Sequence, residues 1–215
     1  TGGPRSQPAQ DVPAVLARLV AVADLPFVGL AGAPRALAIG AQAVVVLRVH
    51  GGAPALAVRV LGWRESPVGP LIAPATDEAV CLLEFSDAAA LAQRIAELGR
   101  YHAGSVRAGS NAVLDDLWRQ LEQFFRGERR EFALPLAYPG TDFQEQVWSA
   151  LQEIRYGDTW SYLDLARRIG DLGATRAVGA ANGANPIAIV IPCHRVVNAN
   201  GDLGGYGGGL WRKRI

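Results

Sequence analysis

The 215-residue sequence contains no methionine, only two cysteines and only three histidines, and its charges nearly cancel at a formal +1. Each scarcity removes a class of protein. Two cysteines, Cys81 and Cys193, cannot build a disulfide framework or a four-thiolate zinc site, so neither metal nor cofactor is expected. With no signal peptide visible, the thiols are expected to be reduced, in a cytoplasmic protein. A balanced charge provides no global field for a polyanion, so any nucleic-acid contact must rest on local geometry. Long apolar runs are missing too. The most apolar region, residues 15–47, is interrupted by Arg18, Asp24 and Arg35. No run reaches the roughly 20 residues of a spanning helix, and no membrane segment is expected. A chain without methionine that opens on Thr1 reads as processed, or as a piece of something longer.

Half the residues are apolar and 19% are charged, a composition suited to a folded core of ordinary size. Residues 1–11 read as a flexible lead and 12–23 as a short helix. Residues 1–54 together form an unassigned leader, flexible or left from an upstream domain. From residue 55 the chain is patterned. Apolar runs at 55–60, 69–73 and 79–85, separated by turn formers such as Pro67 and Asp77, predict an antiparallel meander. Helices are predicted over 88–98 and 112–125, the second with Leu114, Leu117 and Leu121 on one face and a stop at Gly127. Residues 55–138 thus read as a small α+β domain with an antiparallel sheet.

Residues 139–215 read as a second domain, of short helices. Thr141 and Gln144 have capping-box spacing, ahead of an apolar stripe of Phe143, Val147, Trp148, Leu151 and Ile154. Ser161 is placed to cap a helix over 162–169 that Gly170 closes, and a third helix is predicted from about 174 to 181. Two short helices joined by a few glycine-containing residues read as a helix-turn-helix, whose second helix commonly enters a nucleic-acid groove. That helix carries Ala177, Gly179, Ala180, Ala181 and Gly183, with Arg176 its one long cation. Close packing on a neighbouring helix and close approach to a narrow DNA groove account for it equally well.

The chemistry concentrates at IAIVIPCHRVV, residues 187–197. Five apolar residues predict a buried strand, which Pro192 ends by fixing φ and removing a donor. Cys193 then sits where a buried strand meets a turn, a rigid seat for a thiol at a pocket floor. A free cysteine is often only a small buried hydrophobe. Here His194 and Arg195 stand beside it and favour the thiolate, its nucleophilic form. Side chains of consecutive residues diverge in extended chain, so His194 is expected to reach Cys193 through a water, and Arg195 to brace the turn.

PCHRV at 192–196, with FQEQVW at 143–148, YGDT at 156–159, SY at 161–162, RAVG at 176–179, ANGANP at 181–186 and GGYGGGLW at 204–211, resembles the O6-alkylguanine-DNA alkyltransferase (methylated-DNA–protein-cysteine methyltransferase) family. ESPVGPL at 65–71 and TDEAVCLLEF at 76–85 resemble its N-terminal domain. The resemblance implies an α+β fold whose C-terminal part is a helical, winged helix-turn-helix-like alkyltransferase domain. It implies a suicide methyltransferase, a monomer without cofactor that repairs double-stranded DNA by moving the alkyl group of O6-alkylguanine to Cys193. His194 would polarise the thiol through water and Tyr162 would donate to the leaving guanine. Arg176 would enter the duplex where the target nucleotide has flipped out, since a thiol cannot reach an atom inside the stack. Ala177, Ala180 and Ala181 would face the minor groove, which favours the DNA explanation of the small third helix. Asn185 would shape the turn at the thiol, and a purely structural helix C-cap is an equally good reading of it. Pro192, Val196, Tyr206 and Gly207 would line the base pocket, glycine permitting close approach to a purine. The family's histidine-orienting glutamate falls beyond Ile215, so either the chain is truncated or the relay is incomplete. Two other functions fit parts of the pattern. One is a lesion-binding regulatory protein on the same fold. The other is a Cys–His hydrolase, which would need its base from His50 or His102.

Overall fold

The computed structural model describes residues 35–37, 46–48, 58, 60–101 and 107–215. Strand β1 (Arg35–Leu37) pairs antiparallel with β2 (Val46–Arg48). The helix expected at 12–23, most of the leader, and both His50 and His102 lie outside the described residues.

The first sheet is built on a hairpin. β3 (Val60–Arg64) and β4 (Leu71–Ala75) pair antiparallel across a turn in which Gly69 N donates to Ser66 O at 3.0 Å. Gly69 has φ 94, a conformation glycine adopts at no steric cost. β5 (Glu84–Phe85) joins β4 antiparallel. Helix α1 (Leu91–Tyr101) follows, and β6 (Arg107–Ala108) then adds to the far edge of β3 in parallel. The sheet is therefore mixed rather than purely antiparallel, because a strand returning through a helical crossover can lie parallel. Of the run expected to be strand at 55–60, Val60 opens β3, and residues 55–57 and 59 lie outside the described residues. The stretch 79–85 is mostly not strand. Thr76 Oγ1 accepts from the backbone of Glu78 and Ala79 and bends the chain away. Val80 then bonds to Pro135 and Ala137, while Leu83 bonds to Pro186 and Ala188. That segment stitches the two halves of the molecule together.

Helix α2 (Ala112–Phe125) runs over the predicted residues. Asn111 accepts from Leu114 N at its start, and Leu114, Leu117 and Leu121 are buried. A Cβ on Gly62 would lie 2.9 Å from Leu114 Cδ1, so glycine in β3 lets the helix lie close on the sheet.

The C-terminal half follows local rules closely. Reciprocal capping boxes, Thr141 with Gln144 and Ser161 with Asp164, open α3 (Asp142–Leu151) and α4 (Tyr162–Arg168); a cap of this kind contributes about 1 kcal/mol. A short 3-10 turn, Leu172–Ala174, leads into α5 (Thr175–Gly183). β7 (Trp160–Ser161) pairs with β8 (Val196–Val197), and α6 (Leu210–Lys213) closes the described chain. Trp148 anchors α3 against α5: it is 2% exposed and its indole donates to Ala181 O at 2.8 Å. One apolar core runs through both halves, from Val60 and Leu71 to Ile187 and Val196. Among the described residues no helix is long and apolar enough to cross a membrane.

Candidate active site

Residues 187–191 do not form the expected strand. Ile187 makes a single bridge to Leu83, and the chain then folds back, Ile191 N donating to Ile187 O at 3.0 Å. The cause is Asn185. Its Oδ1 accepts from Ile187 N at 3.0 Å and its Nδ2 donates to Ile191 O at 2.8 Å, so one side chain satisfies both shoulders of a turn in place of a strand ladder. Pro192 follows at φ −82, ψ 55, with Cys193 N donating to Ile191 O at 2.8 Å. These are the marks of an inverse γ-turn. Cys193–Arg195 then makes one 3-10 turn.

This geometry leaves Cys193 Sγ 2.9 Å from Asn185 Nδ2, an amide donor aimed at the sulfur. The thiol is 5% exposed. Burial pushes it up to about 11, with Glu84 in the same direction; the Asn185 hydrogen bond, Arg94 and Lys213 oppose. At rest it is therefore protonated, not partly ionised. The cations that act on it are Arg94 and Lys213, and Arg195 is turned elsewhere. Arg195 braces the turn as expected, donating to Ile154 O at 2.8 Å and lying 5.5 Å over the Tyr156 ring. His194 is pushed down to about 4, first by burial and then by Arg195 and Lys213, so its imidazole is neutral near pH 7. Its Nδ1 is buried with no hydrogen-bond partner among the described residues.

A cavity of about 270 Å³ is lined by Cys193, Tyr162, Asn185, Tyr206 and Gly207, together with Glu84, Phe85, Arg94, Ala188 and the small-residue end of α5 at Gly179, Asn182 and Gly183. This is just under the size of common drug-sized sites, room for one base. Burial and the neighbouring Cys193 push the Tyr162 phenol up, leaving it a protonated donor. Glycines bring the covering loop close. A Cβ on Gly204 would lie 2.7 Å from the Tyr162 hydroxyl, and one on Gly208 would collide with the Phe85 ring.

The other sequence candidates divide. Arg176, Ala177 and Ala180 are exposed on α5. Ala181 is 3% exposed; it shares the inward face of Val178 and Asn182, three and four residues apart on one helix side, and cannot face a groove. Pro192 and Val196 are buried beside the thiol and do not line the cavity; Val196 packs in the core and pairs with Trp160.

Three groups near the sulfur, Arg94, Glu84 and Lys213, were not among the sequence candidates. Arg94 of α1 pairs with buried Glu84 at 2.8 Å and donates to Asn185 O and to Gly183 O, capping the C-terminal end of α5. Lys213 donates to Gly204 O at 3.3 Å and Gly205 O at 3.2 Å, holding the glycine loop over Tyr162. Its position after that loop, beside Arg212, was the one available hint.

The shifted groups set a pH dependence of stability. Between pH 6.5 and about 4 the unfolded chain takes up a proton at His194 that the native chain refuses. Stability therefore falls as pH drops through that window, by about 3 kcal/mol. Cys193 and Cys81, pushed up to about 11 and about 12, keep protons that the unfolded chain releases above pH 9, so stability falls again on the alkaline side. Urea midpoints across pH are expected to show both slopes, the acid one reduced in His194→Gln. An unchanged acid slope in that variant would contradict the assignment.

Two family models match the chain in turn. One described as "6-O-methylguanine DNA methyltransferase, ribonuclease-like domain" matches residues 60–138, and one described as "6-O-methylguanine DNA methyltransferase, DNA binding domain" matches residues 142–215. Over 149 residues the chain is 44% identical to the methylated-DNA–protein-cysteine methyltransferase of Mycobacterium leprae, covering 69% of this chain and 84% of that one. The protein of the same name from Methanosarcina acetivorans is 40% identical over 157 residues, covering 68% and 88%. The crystal structure of Mycobacterium tuberculosis OGT in complex with DNA aligns with TM-score 0.62 at 40% identity, over 72% of this chain and 88% of that one.

Proposed function

This chain belongs to the methylated-DNA–protein-cysteine methyltransferase family, and from that premise we propose that it repairs DNA by moving the alkyl group of O6-alkylguanine to Cys193, once per molecule. The observation that carries this reading is one sulfur held at the wall of a base-sized cavity beside Asn185 and Tyr162. Asn185 donates to Sγ at 2.9 Å, His194 is neutral and able to accept a proton, and Tyr162 keeps its phenolic proton.

The flipped base enters the cavity beside α5. Sγ attacks the alkyl carbon in line, the C–S bond forming as the C–O bond breaks. The thiol proton passes by way of water to His194, and Tyr162 donates to the ring as negative charge develops on the leaving guanine. The products are a thioether and a guanine that has, in net balance, gained the thiol proton. Arg176 with Ala177 and Ala180 presents one cation on a low surface, suited to a minor-groove approach to double-stranded DNA and to filling the gap left by base flipping. In this reading the protein works as a monomer in the cytoplasm.

The test is an intact-mass measurement after exposure to a duplex carrying O6-methylguanine. One added methyl, mapped to the Cys193 peptide, is the expected outcome. An unmodified protein that binds the lesion tightly would instead identify a lesion-binding regulator.

A further inference from the structure

Among the described residues, Ile189 alone combines a side chain with positive φ, at 69°. For a β-branched residue this is a steric outlier. The hydrogen bonds define the geometry: Val190 N donates to Ala188 O at 2.7 Å, closing a three-residue γ-turn of the rare, strained hand. The side chain is 6% exposed and belongs to the main core, so it cannot swing out to release the turn. Ala188, immediately before it, lines the cavity. The shoulders of the turn, Ile187 and Ile191, are the residues Asn185 grips, and Asn185 is the group that reaches the sulfur.

Resting on the alkyl-transfer reading, we propose that Ile189 is a positioning residue for that reaction: its buried side chain pins the strained turn that keeps Asn185 on Cys193. Relaxed to extended backbone, residues 187 and 191 would stand about 13 Å apart. One amide cannot span that, since its hydrogen bonds reach only about 3 Å on either side. The fold-back at Ile189 brings the Ile191 carbonyl and the sulfur within reach of the same Nδ2. The small wall at Ala188 and the aim of the thiol are set by one backbone outlier.

The experiment compares Ile189→Val, Ile189→Ala and Ile189→Gly. At an ordinary buried position glycine is less stable than alanine. At a strained positive φ the order reverses, so the glycine variant is expected to have the higher urea midpoint. An alanine variant too unstable to purify beside a folded glycine variant gives the same answer. Methyl transfer is expected to slow about 10- to 100-fold in the glycine variant, with affinity for O6-methylguanine duplex within about twofold of the parent, and Ile189→Val is expected to restore the rate. The pH profile of Cys193 alkylation by iodoacetamide should move upward in the glycine variant, as Asn185 loses its hold. Alanine more stable than glycine, or a glycine variant with parental transfer rate and thiol profile, overturns the proposal. Should the parent itself transfer no methyl, the repair reading fails, and the urea order and iodoacetamide profile still decide the role of the turn.

Discussion

Cys193→Ser is expected to transfer no methyl from O6-methylguanine DNA, a loss of at least about 10⁴-fold, while still binding the lesion. The substitution keeps the size of the side chain and its place beside Asn185, so the cavity is preserved. What it removes is a nucleophile that can ionise under attack. The thiol starts protonated at about 11, so it must give up its proton to attack, and negative charge gathers on sulfur before passing to the leaving guanine. The Asn185 amide at 2.9 Å and the nearby Arg94 and Lys213 stabilise that charge as it forms. A serine hydroxyl is far harder to ionise and far less nucleophilic. The companion variant Cys81→Ser is expected to transfer normally. Cys81 is fully buried, sits 3.7 Å from Ala79 O and is pushed up to about 12, an inert core thiol. Intact mass separates the outcomes. A methylated serine variant would remove Cys193 from its role, and a folded Cys81 variant without transfer would contradict the reading of Cys81 as inert.

Arg94→Leu is expected to cost about 3–5 kcal/mol of folding stability, the penalty for stripping the partner from a buried charge. Glu84 is 4% exposed, and burial already raises its carboxyl despite Arg94 at 2.8 Å. Without the guanidinium, it must be buried as an unpaired anion or taken up neutral. The substitution also releases Asn185 O and Gly183 O, which Arg94 holds. Adding Glu84→Gln removes the stranded charge and is expected to recover about 1–3 kcal/mol, a non-additivity typical of contacting partners. Urea midpoints of the two single variants and the double variant measure it. Strict additivity would mean that the pair is not coupled. Because Arg94 spans from α1 to the end of α5, methyl transfer should fall with stability in Arg94→Leu and return in part in the double variant.

Much of the C-terminal half is legible in the sequence. The Thr141 capping box, the Ser161 cap and the helix-turn-helix spacing depend on partners three or four residues away, and those partners are visible in the chain itself; in the N-terminal half the same holds for the limits of α2. Asn185, Cys193 and Tyr206 were grouped by the family resemblance, and all three line one cavity. The sheet was less legible. Residues 79–85 read as one strand, yet the hydroxyl of Thr76 turns them and their hydrogen bonds go to segments far along the chain. Residues 187–191 failed for a related reason: an all-apolar run has no period, so strand and buried turn look alike, and the side chain of Asn185 settled the choice.

Residue types and short-range spacing placed a thiol, an imidazole and a phenol in one small domain, since such order is written in near neighbours. They left open the charge state of each group, the inward turn of Ala181, and the approach of Arg94 and Lys213 to the sulfur. Those follow from burial and from contacts between distant segments, and desolvation has no value until the whole chain has closed around the atom.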